Sequence, residues 1–100
     1  MGLIETYKEQ IRKLCEMNKV KSLYAFGSVN TALFNHNSDV DLLVDFEIND
    51  PVEYSEKYFN LKFNLEKLLN RSIDLLENKS IRNPFLRQSI DKSKALVYGG

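Results

Sequence analysis

Twenty residues, Gly27 to Phe46 (GSVNTALFNHNSDVDLLVDF), constrain this chain more than any other stretch. A Gly-Ser pair directly follows an apolar run. Beyond a polar loop, two aspartates, Asp39 and Asp41, open a second apolar run. Few purely structural needs put a bare backbone turn, a hydroxyl and two nearby carboxylates in that order. A site for phosphate groups and a metal ion is one that does.

The rest of the chain supplies what such a stretch needs to hold its shape. One hundred residues predict one domain over 1–100, large enough for a single core. Hydrophobic content of 43% and charged content of 28% suit a water-soluble fold. Lys plus Arg and Asp plus Glu both total 14, so the net charge is zero. That balance argues against a protein built to grip phosphate backbones, and no direct nucleic-acid binding is expected. The single cysteine, Cys15, sits at an apolar helical position and suits a reducing cytoplasm. The N-terminus has no signal-peptide pattern, and no apolar run approaches the roughly 20 residues that span a bilayer. A cytoplasmic protein without membrane contact is expected.

Leu3, Ile4, Tyr7, Ile11, Leu14 and Cys15 recur at spacings of three and four, predicting one amphipathic helix over 3–17. Val20 to Phe26 is rich in β-formers and is stopped by Gly27, so a buried strand is predicted. Asn30 to Ser38 reads as a loop, with a short helical turn allowed over Ser28 to Leu33. In the strand predicted over 39–46, Val40, Leu42, Val44 and Phe46 share one face, and Asp39, Asp41, Leu43 and Asp45 the other. Asp50 and Pro51 open a helix to about Asn70, with Tyr54, Tyr58, Leu61, Leu65, Leu68 and Leu69 as its buried stripe. Ser72 to Leu76 is a third strand with Asp74 turned away from Ile73 and Leu75. Asn83 caps a last helix through about Ile90, and Ala95 to Tyr98 is either an edge strand or core packing. The class is α/β (α+β), a short mixed sheet flanked by helices.

The chemistry concentrates in the carboxylates. Alternate residues on a strand point the same way with α-carbons roughly 6.5 Å apart, so Asp39 and Asp41 can share a hard cation. Without one they repel. Asp74 is a candidate third ligand if its strand lies beside theirs. Alone, a D-x-D is often just a strand start and a Gly-Ser pair just a turn. An EF-hand is excluded, because Val40 or Leu42 falls where glycine is required. His36 reads as solvent-facing in a polar loop. Tyr54, Tyr58, Phe59 and Phe63 follow helical spacing, as core or as a partner face.

The combination is far more specific than its parts. A strand, Gly27-Ser28, a loop, Ser38-Asp39-Val40-Asp41-Leu42-Leu43-Val44 and then Asp74 in Ile73-Asp74-Leu75 resemble the DNA polymerase beta-like nucleotidyltransferase superfamily. Within it the chain is most similar to the minimal nucleotidyltransferase (MNT) group, and Asn83-Pro84-Phe85 and Ala95-Leu96-Val97-Tyr98 look like the ends of such domains. The resemblance implies that Asp39, Asp41 and Asp74 are catalytic and hold two Mg²⁺ ions. It implies that Gly27 and Ser28 hold the β- and γ-phosphates of a nucleoside triphosphate, ATP being the expected donor. A nucleotidyl group, AMP, would pass to an acceptor hydroxyl on a partner protein. In this group that partner is an all-helical HEPN protein, and the MNT protein serves as its antitoxin.

Many members carry an arginine shortly after Gly-Ser. Here Val29, Asn30, Thr31 and Ala32 follow, and no Lys or Arg occurs between Ser28 and Asp39. Lys21, Lys57 and Lys62 are the candidates to replace that charge in space. The alternative is a catalytically weak or inactive module that neutralises a HEPN-type partner by contact. A small-molecule transferase would need homo-oligomerisation to build its acceptor pocket.

Overall fold

Two strands form the centre of the sheet. Val20–Phe26 (β1) pairs antiparallel with Val40–Phe46 (β2), setting Leu23 opposite Val44 and Phe26 opposite Asp41. The computed structural model of the chain describes residues 2–27 and 37–100. Ile73–Glu77 (β3) runs parallel to β2, which demands a crossover rather than a hairpin. Helix α3, Pro51–Leu69, is that crossover. The Asp50 carboxylate caps it by accepting from Glu53 N at 3.0 Å, Pro51 takes its first position, and left-handed Asn70 ends it. Ala95–Gly99 (β4) adds antiparallel to the free side of β1, giving the mixed order β3-β2-β1-β4. The last apolar run is therefore an edge strand.

Over the N-terminal residues the sequence predicts one helix and the structure has two, Leu3–Thr6 (α1) and Lys8–Met17 (α2). Tyr7 between them sits at φ −109° and ψ 17°, outside helical geometry. The break is a bend: Ile11 N still donates to the Tyr7 carbonyl at 2.9 Å. At the other end of α2, fully buried Asn18 donates to the Leu14 carbonyl and accepts from Asn60, tying α2 to α3.

Ile11 and Cys15 of α2 and Leu61, Leu65 and Leu69 of α3 form the core with Leu23, Ala25, Val40, Leu42, Val44, Ile73 and Leu75 from one face of the sheet. Helices α2 and α3 thus cover the face away from the carboxylates. The other face is not bare. Leu43 and Ile90 are both buried, yet neither belongs to the main core. Ile90 lies in Pro84–Ser93 (α4), capped by Asn83, which accepts from Phe85 N and Leu86 N. Just past α4, the Lys94 ammonium stands 4.7 Å over the ring of Tyr24, which alternation turns toward the carboxylate face. Among the described residues, no helix is long and apolar enough to cross a membrane.

Candidate active site

The geometry begins at Gly27, the residue that ends β1. Its φ is +74°, a conformation that a side chain disfavours. Space forbids one as well: a Cβ there would stand 2.5 Å from Oδ2 of Asp41. The glycine and the carboxylate therefore share one spot, because the β1–β2 register sets Phe26 opposite Asp41.

On the other side of β2, the parallel register sets Asp41 directly opposite Asp74. Adjacent strands lie about 4.8 Å apart and register partners project from the same face, so the two carboxylates are neighbours. Asp39, just before β2, points the same way by alternation and is exposed. Asp41 registers this company. Partial burial, then the negative charges of Asp74 and Asp39, raise its carboxyl above the ordinary range. Three hard oxygen donors without thiolate or imidazole suit Mg²⁺. Among the described residues no three His, Cys, Asp or Glu side chains converge into a ready-made metal cage.

Ser28, the helical turn expected over Ser28 to Leu33, and His36 lie outside the described residues. The candidates for a replacement cation do not reach the site. Lys57 lines a hollow with Met17, Asn60 and Phe63, and Lys62 shares its helix, so both belong to the layer behind the sheet. Lys21 lies six residues before Gly27 on β1, roughly 20 Å away at about 3.3 Å per residue. A cation that does lie beside the strand starts is Arg71, whose Nη1 donates to the Ser38 carbonyl at 3.3 Å, one residue before Asp39. The sequence reading misses it, although the register that sets Asp74 beside Asp41 also sets 71 beside 38.

Helix α3 secures the outer edge of β3. The Tyr58 hydroxyl donates to the Leu75 carbonyl at 2.5 Å, and Tyr54 donates to Glu77 at 3.0 Å. These bonds occupy polar groups on an edge strand and seat the strand that carries Asp74.

The fold is that of a nucleotidyltransferase-type domain. A family model described as "Nucleotidyltransferase domain" matches residues 7–97. A Methanocaldococcus jannaschii protein provisionally named a protein adenylyltransferase is 37% identical over 102 residues, covering 98% of this chain and 99% of the relative. A solved structure provisionally named a minimal nucleotidyltransferase aligns with TM-score 0.75 and 28% identity over 95% of each chain. A crystal structure of a toxin–antitoxin with AMP-PNP aligns with TM-score 0.70 and 26% identity over 93% of this chain and 73% of that one. The chain belongs to the nucleotidyltransferase domain family, in its minimal group, and is a nucleotidyltransferase.

Proposed function

We propose that this nucleotidyltransferase acts as one domain over residues 1–100 and transfers AMP from ATP to a hydroxyl of a HEPN-type helical partner protein, as the antitoxin of that pair. The observation that carries the proposal is the register of Asp41 with Asp74, with Gly27 against the Asp41 carboxylate. The name of the archaeal relative and the toxin–antitoxin with AMP-PNP support an adenylyl donor and a toxin as the partner.

Asp39, Asp41 and Asp74 would hold two Mg²⁺ ions. When bound, these supply positive charge against the phosphates and orient an in-line displacement. Gly27, having no side chain, leaves the triphosphate room beside Asp41, and Ser28 offers its hydroxyl and amide to the β- and γ-phosphates. Asp74 takes the proton of the acceptor hydroxyl. That oxygen bonds to the α-phosphorus, the bond to the bridging oxygen breaks, and pyrophosphate leaves. Arg71 holds the Ser38 carbonyl and with it the start of the strand that presents Asp39.

One observation favours a second reading, neutralisation by contact alone. Neither Lys nor Arg occurs between Ser28 and Asp39, and Lys21, Lys57 and Lys62 lie away from the carboxylates. Incubation with α-phosphate-labelled ATP, Mg²⁺ and the product of the neighbouring gene separates the two. Label on the partner that vanishes with Asp39→Asn supports transfer. Neutralisation without label, in both wild type and variant, supports contact alone.

A further inference from the structure

Helix α3 is apolar on two sides. Its core face carries Leu61, Leu65 and Leu69. On the opposite side Val52, Phe59 and Phe63 are 68%, 51% and 60% exposed, and the rings of Phe59 and Phe63 stack at 5.9 Å. With Glu56 they form an outward seam spaced four, three and four residues apart, the spacing by which helices pack side by side. Met17, at the end of α2, is 64% exposed and lines the same hollow as Phe63. A solvated helix face needs no such residues, and contiguous exposed aromatics mark an interaction surface.

We infer that this seam seats a second copy of the chain, with two α3 helices packed antiparallel about a two-fold axis that crosses their outer faces level with position 61. The charges select this occupant. Phe59 and Phe63 are centred on position 61, and Glu56 and Lys67 lie five and six residues to either side of it. An antiparallel two-fold therefore sets Phe59 on Phe63 of the second copy and Glu56 beside its Lys67, and each contact occurs twice. Neither Glu56 nor Lys67 has an ion-pair partner among the described residues. The seam is thus self-complementary in residue spacing and in charge. It lies on the helical layer, behind the sheet and away from the carboxylate face of each copy.

Sedimentation or light scattering across a concentration series tests the inference. Wild type is expected to dimerise, and Phe63→Glu to be monomeric with an unchanged circular dichroism spectrum. Glu56→Lys alone writes two like-charge pairs and weakens the dimer by about tenfold, as does Lys67→Glu. The double variant Glu56→Lys/Lys67→Glu restores it. A wild-type monomer at every concentration, or a dimer indifferent to these charges, overturns the inference. So does a monomer that uses Phe59 and Phe63 to bind its acceptor protein, which would assign the seam to a different chain. Nucleotidyl transfer is read separately, so its failure would leave this result standing.

Discussion

Gly27 and Asp41 compete for the same space: a single methyl group on the glycine would press to 2.5 Å on the aspartate's Oδ2. The glycine also holds φ +74°, so Gly27→Ala is penalised twice. The backbone strain alone costs about 1–2 kcal/mol. A melting curve should fall by roughly 5–10 °C for a chain of this size. The displaced carboxylate should lower label transfer by about tenfold or more at a temperature where the variant is still folded.

Asp41 is held against its own preference. Burial and the charges of Asp74 and Asp39 raise its carboxyl, so the ionised form opposes folding when no cation is present. Asp41→Asn should therefore raise the melting temperature of the metal-free protein while abolishing transfer. Added Mg²⁺ should stabilise wild type and leave the variant's melting temperature nearly unchanged. Differential scanning fluorimetry with and without Mg²⁺ reads both effects.

Arg71 reaches the Ser38 carbonyl across the starts of two strands. A hydrogen bond from a charged donor contributes about 1.5–3 kcal/mol. Arg71→Ala should cut transfer by about tenfold or more, because Asp39 directly follows the anchored carbonyl. Arg71→Lys, which retains a donor, should recover part of the rate in the same labelling assay.

Cys15 is fully buried, and burial, with a smaller push from Glu16, raises its thiol from an ordinary 9.0 to about 12. The folded state thus keeps its proton where the unfolded chain loses it, so stability falls as pH rises from about 9 toward 12. The limiting slope is about 1.4 kcal/mol per pH unit. Denaturant titrations across that range should show the loss, and native Cys15 should resist alkylation at neutral pH.

Much of this molecule is legible in its residues. Val20–Phe26 is bounded by Gly27, and Pro51–Leu69 is bounded by a capping Asp50 and a left-handed Asn70. Local chemistry marks such ends without help from the rest of the fold. What resists is what only tertiary contact decides. Apolar spacing runs straight through Tyr7, so the bend there leaves no trace in the pattern. Leu43 belongs to the carboxylate side by alternation, and only the covering of that side explains its burial. Periodicity marks the apolar positions of α3 but not which side of the sheet the helix covers. For that reason Lys57 and Lys62 look available to the phosphates until the layers are known. Arg71 is the reverse case, because it becomes visible once β3 is set in register with β2.

On the proposed function, Asp39, Asp41 and Asp74 work as one unit. Transfer rates for the three single Asp→Asn variants and the triple variant test it directly, using labelled ATP and the partner protein. Groups that act together lose function together, so each single variant should fall by about a hundredfold or more and the triple variant little further. Transfer at the wild-type rate by any single variant, Asp74→Asn above all, would show that the three carboxylates do not act together.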